Sequence, residues 1–440
     1  MKNSIPEAGY PVKFRRTDSL TLASHLYHRH SLELIGMKRV GINNFLRFFL
    51  FQKHIEKKYI SPEGKNLFIY VDLNDLVEHD LFAFWQLTLK RIMDAVETHA
   101  PNTELKQKIS ALFLRCIQSR DFFLTYDGVK ESLVYLVKEG FLPTIFFTRF
   151  DRLKDVASLE FFDNLKSIRD ATGEKLAYVF TSFRKFSKIF PTATYNELIS
   201  RFVTAEYIKP LIPSDQKVIL HNLLQKYHVP HTKSLEDTIL SLAGGHVQYI
   251  HLCVLIAHEL FDTRNHISPH LLKKEIQEDE RITFLSEELW DSLHDYEQAV
   301  LKKAFVNKKI SKEEENATPY LWKAGYVIKK GRKKSIFSPL FELYINDIES
   351  EKKNPTIDLS KKEYALFQFL KTHVHEICER EKIAEIVWPE YKEYGVSDWA
   401  IDRLVARVRS KLKKQESEFE IITVRTRGYK LVLSSEPQGD

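Results

Sequence analysis

Two groups of residues have the types and spacing to do chemistry. Near the C-terminus Arg403, Arg407, Ser410 and Lys414 recur every three or four residues, opposite Ile401, Leu404, Val405, Val408 and Leu412. In a helix the apolar set falls on one face and the basic set on the other. Arg409, Lys411 and Lys413 flank the basic row, and Trp399 stands at the start of the same helix. Such a row suits a groove lined by phosphates, and an arginine also matches guanine in two-pronged fashion. Residues 421–431 then alternate and turn at Gly428, which puts Thr423, Arg425 and Arg427 on a hairpin. From a hairpin tip, arginines reach a minor groove or its phosphates. The candidate nucleic-acid contacts are therefore Trp399, Arg403, Arg407, Arg409, Lys413, Lys414, Thr423, Arg425 and Arg427.

The second group lies near the N-terminus. A phosphate-binding loop needs Gly, four residues, Gly, then Lys and Ser or Thr, because the lysine meets the terminal phosphates and the hydroxyl holds magnesium. Gly36 and Gly41 are present, but Ile42 takes the lysine position and Asn43 the hydroxyl position. Residues 144–153 resemble the strand that ends in Asp-Glu in phosphate-loop ATPases. Thr148 stands in place of the magnesium aspartate and Arg149 in place of the glutamate that orients water. Losing a cation, a metal ligand and a carboxylate each removes orders of magnitude of turnover, since phosphoryl transfer rests on electrostatic positioning. The expectation is a vestigial site without ATPase activity, with no cofactor and with weak or absent ATP or ADP binding. Lys38 and Arg39 are the cations left to meet a phosphate.

The elements that position these groups follow from periodicity. From 31 to 183, short apolar runs at 32–35, 67–73, 144–147 and 177–180 alternate with amphipathic stretches, the pattern of a parallel sheet covered by crossover helices. Residues 215–277 keep helical spacing without a strand, as an all-helical lid does. Residues 289–348 give short helices, then a two-stranded ribbon around the basic run 329–334. In the last domain Ser360 and Glu363 make a capping box for a helix striped by Tyr364, Phe367 and Leu370. A second helix from Arg380 to Trp388 is stopped by Pro389. The fold class expected is multidomain α/β: a phosphate-loop-type parallel sheet with a helical lid, then two winged-helix domains. The boundaries read as 1–209 for the sheet domain, 210–286 for the lid and 287–348 for the first winged helix. They continue as 349–356 for a linker, 357–434 for the second winged helix and 435–440 for a tail.

A chain of 440 residues with 43% hydrophobic content can bury several cores, and its net charge of +6 requires any basic patch to be local. Cys116, Cys253 and Cys378 are scattered and odd in number, which fits core residues in a reducing compartment. The N-terminal residues lack an apolar signal and no apolar run is long enough for a bilayer, so the expected place is the cytoplasm, without a membrane partner. His25, His28 and His30 cluster without a helpful carboxylate and read as a surface or interdomain group, not a metal site.

Residues 357–433 resemble the OmpR/PhoB-type winged helix of response regulators. The likeness rests on the capping box, Trp388, the 407–412 segment and the Thr-Val-Arg-Thr-Arg-Gly-Tyr wing at 423–429. It implies that Trp388 is core, that residues 398–414 are the recognition helix and that Arg425 belongs to a groove-contacting wing. Thr426 occupies a position where the family usually carries glycine. Residues 10–348 resemble the STAND and archaeal-type AAA+ ATPases through Phe14-Arg15-Arg16, the loop at 36–43, Thr181-Ser182 and Gly244-Gly245-His246, with Val247 where proline is frequent. Together these imply a DNA-binding transcriptional regulator whose inactive ATPase-like body senses a ligand or protein partner, or builds a homo-oligomer. The implied main partner is double-stranded DNA. Two other classes compete: an AAA+-like DNA-binding factor in replication, transposition or defence, and a protein-interaction scaffold.

Overall fold

Strands buried along their whole length must carry structure on both faces. The chain supplies β1 (Ser31–Gly36), β2 (Lys65–Asp72), β3 (Phe141–Thr148), β4 (Ala177–Ser182) and β5 (Val203–Ile208). Every residue of β1 and β4 is buried, and β3 is buried apart from Leu142. In the computed structural model of the protein these strands form one parallel sheet in the order β2-β3-β4-β1-β5. The structure describes residues 5–60, 65–190, 203–263, 267–330, 333–351, 359, 361–388, 398–414, 417–424 and 427–433, excepting the side chains of 330, 333, 350, 351, 361, 398, 399 and 414.

Three of the four apolar runs lie within β1, β3 and β4, and the run 67–73 fills β2 and passes its end by one residue, Leu73. β5 was not legible, because Val-Thr-Ala-Glu-Tyr-Ile has no apolar run and is buried only at its two ends. It pairs along one side of β1, from Ser31 opposite Val203 to Gly36 opposite Ile208, as an edge strand of the sheet. β1 is followed in sequence by the strand at the opposite edge, so the chain leaves the sheet centre beyond Gly36. In open α/β sheets a crevice forms outside the strand ends at such a point. One sheet face packs on the helices Leu81–His99, Thr103–Ser119 and Phe122–Lys138 through Phe84, Trp85, Ile109 and Leu133. Phe150, fully buried, stacks edge-on against Phe180 at 4.7 Å and anchors the turn after β3.

Helices Pro213–Lys226, Lys233–Ala243, Val247–Thr263 and Pro269–Glu278 follow. Pro213 stands in the first turn of the first, and Gly244 (φ +58°) ends the second. Helix Glu280–Asp291 runs across the 286/287 boundary expected from sequence, because the Asp279 carboxylate caps it by accepting from the Arg281 N–H at 2.8 Å. Helices Asp295–Phe305, Lys312–Ala317 and Pro319–Lys323 lead to the antiparallel β6 (Val327–Lys330) and β7 (Lys333–Ile336). A further helix, Pro339–Glu351, reaches three residues into the segment read as a linker. The remainder of that segment lies outside the described residues.

The chain divides into two units, Met1–Asp347 and Ile348–Asp440. The second has its own core, in which Leu366, Leu370, Ile383, Trp388, Leu404, Val408 and Leu431 pack together. It consists of helices Lys361–Thr372, Arg380–Val387 and Asp398–Lys414, then antiparallel β8 (Phe419–Val424) and β9 (Gly428–Leu433). Tyr364, expected in the first helix's apolar stripe, is 55% exposed; the inward positions are Glu363, Leu366 and Leu370. The helix is turned this way because Glu363 is drawn inward by cations of the third helix. Ser360, its expected capping partner, lies outside the described residues. Gly428 (φ +142°) is needed where the hairpin passes Cys378: a Cβ there would lie 2.1 Å from the Cys378 carbonyl oxygen. Tyr429 and Cys378 exchange backbone hydrogen bonds of 2.8 and 3.0 Å at that crossing.

Candidate functional site

The third helix of the second unit buries Ile401, Leu404, Val405, Val408 and Leu412, the five positions that periodicity assigns to its core face. Asp402, Ala406, Ser410 and Lys413 are exposed on the other side. The basic side chains divide between the two flanks. On one, Arg407 and Lys411 lean onto the buried Glu363 carboxylate at 3.2 and 2.7 Å, which leaves the Arg407 side chain 17% exposed. The row expected to face outward as Arg403, Arg407, Ser410 and Lys414 therefore bends at Arg407, because a buried carboxylate on a neighbouring helix needs a counter-charge. Arg403 is partly exposed one turn earlier on that flank.

On the other flank Arg409 ties the helix to the hairpin. Its Nε donates to the Ile421 carbonyl at 2.7 Å and Nη2 donates to Thr423 Oγ1 at 2.8 Å, with the guanidinium 5.7 Å from the Tyr429 ring centre. The structure thus joins two expected contact residues, Arg409 and Thr423, to each other. Asp402 receives hydrogen bonds from Arg380 and the Tyr429 hydroxyl. Burial pulls the Asp402 carboxyl up, but those two donors hold it below the usual carboxylate range, while burial and Asp402 push Tyr429 up to about 12. Helix and hairpin are thereby fixed to each other, and Lys413 on the helix and Arg427 in the hairpin turn are exposed. Arg425 and the side chains of Trp399 and Lys414 lie outside the described residues. Sequence reasoning missed Glu363 as a charge anchor, since the capping reading accounted for it, and missed Arg380, Asp402 and Tyr429 as a network because their spacing is not local.

In the first unit, a cleft of about 620 Å³ opens at the C-terminal ends of β1, β3 and β4, lined among others by Gly36, Arg39, Gly41, Asn43, Arg149 and Ser182. Gly36, Gly41, Ile42 and Asn43 form the loop and first turn after β1; Gly41 takes φ +102° as the cap of helix Ile42–Phe51. Thr148 is buried at the end of β3, and the Arg149 guanidinium donates to both oxygens of Asp72 at 2.7 and 2.9 Å. All six residues assigned to the vestigial site are brought to one end of the sheet. The loop's other cations also meet carboxylates: Arg39 lies 2.6 Å and Lys38 3.9 Å from Glu288.

The helical segment presses on this loop. A Cβ on Gly41 would lie 2.5 Å from Val247 Cγ2. The His246 Nε2 donates to the Lys38 carbonyl at 2.9 Å. Burial holds the His246 imidazole down to about 4, so it is neutral at pH 7. Neither Asp72 nor Glu288 carries a motif signal, and only the topology brings them to the loop.

Residues 353–431 match the family described as "Transcriptional regulatory protein, C terminal". Among curated proteins, the chain is similar to the "Heme response regulator HssR" of Staphylococcus aureus strain bovine RF122 / ET3-1, 34% identical over 84 residues, which are 19% of this chain and 37% of that protein. The protein of the same name from strain JH9 is 33% identical over the same shares. The chain thus spans little more than a third of the length of these relatives, 37%. Among solved structures, "the walker-type atpase paby2304 of pyrococcus abyssi" aligns with a TM-score of 0.45 and 15% identity, over 76% of this chain and 95% of that one. The Aeropyrum pernix ORC2 protein in its ADPNP-ADP complexes aligns with a TM-score of 0.45 and 14% identity, over 80% and 98%. No helix among the described residues is long and apolar enough to cross a membrane.

Proposed function

We propose that this protein is a transcriptional regulator that binds double-stranded DNA through the helix Asp398–Lys414 and the β8–β9 hairpin. The observation that carries the reading is the bracing of that helix to that hairpin by Arg409, in a segment matching the C-terminal domain of transcriptional regulators. A rigid helix–hairpin pair with cations along both parts can lay the helix in a major groove and the hairpin over the adjacent backbone or minor groove. Arg403, Lys413 and Arg427 are the contacts best placed for this, with Arg407 positioned by Glu363. Domains of this build act in pairs on repeated half-sites, and the chain acts as a homodimer in the cytoplasm.

The first unit, on this reading, is a body that receives a ligand or a protein partner and does not hydrolyse ATP. Ile42, Asn43, Thr148 and Arg149 occupy positions where phosphoryl transfer uses a lysine, a hydroxyl and two carboxylates. Arg149 is committed to Asp72, and Arg39 to Glu288. Single-turnover incubation with ATP and magnesium is expected to release no phosphate above a no-protein control. Release that is lost in Arg149→Ala would contradict this part.

Selection of the full-length chain against a random duplex pool, followed by footprinting, tests the DNA reading. A short protected site that is weakened in Arg403→Ala supports it. A long footprint without sequence preference favours the replication-type alternative, and no binding at low salt favours the protein scaffold.

A further inference from the structure

The turn between the first two helices of the lid folds two histidines onto one glutamate. Helix Pro213–Lys226 ends at Tyr227, after which His228 takes a left-handed conformation (φ +53°). The Val229 N–H then donates to the Leu224 carbonyl at 2.9 Å. A bond from just past a helix back into its last turn reverses the chain, and Pro230 keeps it from resuming a helix. Helix Lys233–Ala243 consequently returns beside the first, and His231 and Glu236 arrive next to His221.

His221 Nε2 lies 3.1 Å from Glu236 Oε2, and His231 Nδ1 lies 3.5 Å from Glu236 Oε1. The two imidazoles stand edge to face with centroids 5.3 Å apart. One ligand atom from each of the three residues lies within 4.8 Å of the other two. In a tetrahedral centre with bonds near 2.1 Å, ligand atoms are separated by about 3.4 Å. The two histidine–glutamate distances, each to a different carboxylate oxygen, are near that length, and small side-chain rotations would bring one ligand atom from each residue around a single ion. His221 and His231 are half-exposed, and Glu236 is 20% exposed, so an ion has a route from solvent and water can fill a fourth position.

We propose that His221, His231 and Glu236 bind one zinc ion, which pins the first two lid helices to each other. Two imidazoles and one carboxylate suit zinc, whereas magnesium and calcium take more oxygen ligands than this site offers. Among the described residues no other group of His, Cys, Asp and Glu brings three ligand atoms this close. His258 pairs with Asp262 at 3.5 Å, and the His30 ring lies 6.1 Å from that of His25 and 5.8 Å from that of His28. Sequence spacing hid the site, because its ligands are ten and five positions apart along the chain and only the helical reversal unites them.

Full-length protein stripped with a chelator and titrated with Zn²⁺ by calorimetry tests this, with Co²⁺ absorption reporting the coordination. The expected result is one ion per chain, a tetrahedral Co²⁺ spectrum and a higher melting temperature with Zn²⁺. His221→Ala, His231→Ala and the near-isosteric Glu236→Gln should each weaken binding by at least the roughly tenfold typical of losing even an outer-shell partner. His258→Ala and His28→Ala should bind as the unaltered chain does. Absence of Zn²⁺ binding, binding retained in His221→Ala, or binding lost in His28→Ala would overturn the proposal.

Discussion

The cleft of the first unit and the helix–hairpin face of the second carry the same kinds of side chain in different balance. Around the cleft, Arg149 meets Asp72 and both Lys38 and Arg39 meet Glu288, so three of its cations are answered by carboxylates of the same unit. Along the helix Asp398–Lys414, Arg407 and Lys411 share the single carboxylate of Glu363, Arg409 donates to the neutral Ile421 carbonyl and Thr423 hydroxyl, and Lys413 is exposed. Matched charges hold parts together, while a surplus leaves a field for a phosphate backbone. A basic residue therefore says little about its use until its carboxylate partners are located.

A single change at Glu363 turns matched cations into unmatched ones. Glu363→Gln removes the carboxylate shared by Arg407 and Lys411, and it should cost the second unit about 3 kcal/mol in thermal or denaturant unfolding. A loss below about 1 kcal/mol would mean those cations are not anchored there. Behind the cleft loop, where it donates to the Lys38 carbonyl, His246 contributes through burial. Its folded value of about 4 lies below the ordinary 6.5, so the stability it confers is fully present above pH 6.5 and is lost as pH falls towards 4. That amounts to about 3 kcal/mol. The stability gap between the unaltered chain and His246→Gln should therefore shrink across that window in acid titrations of unfolding.

Gly41→Ala tests whether the loop is a packed joint. A Cβ there meets Val247 and forces a side chain to hold a left-handed backbone, for a loss of about 2 kcal/mol. Lys413→Ala should weaken duplex binding by about 1 kcal/mol, or roughly fivefold, evenly across sequences. The smallest effect is expected in the other hairpin, where Lys329 pairs with Glu315 and lies over Trp322. Lys329→Ala should change stability by less than about 1 kcal/mol, since the pair is largely exposed.

Much of the fold was readable because burial imposes period: four of the five parallel strands, and the whole core face of the helix Asp398–Lys414, are apolar where the structure buries them. β5 escaped because an edge strand can be polar along its middle. The orientation of the helix Lys361–Thr372 escaped for another reason: Glu363 turns inward to meet charges 44 and 48 residues further on, and no local pattern encodes such a partner. In the cleft the residue types at Ile42, Asn43, Thr148 and Arg149 could be read directly, whereas their neighbours Asp72 and Glu288 needed the topology. The three-residue site on the lid was invisible for the same reason.

The most direct test of the account is the salt dependence of duplex binding by the full-length chain, with and without charge reversal at the exposed helix position, Lys413→Glu. Steep weakening with added salt, and a clearly shallower slope with much lower affinity in the variant, are what the helix–hairpin face predicts. An unchanged slope and affinity in Lys413→Glu would place any DNA contact elsewhere on the chain and contradict it.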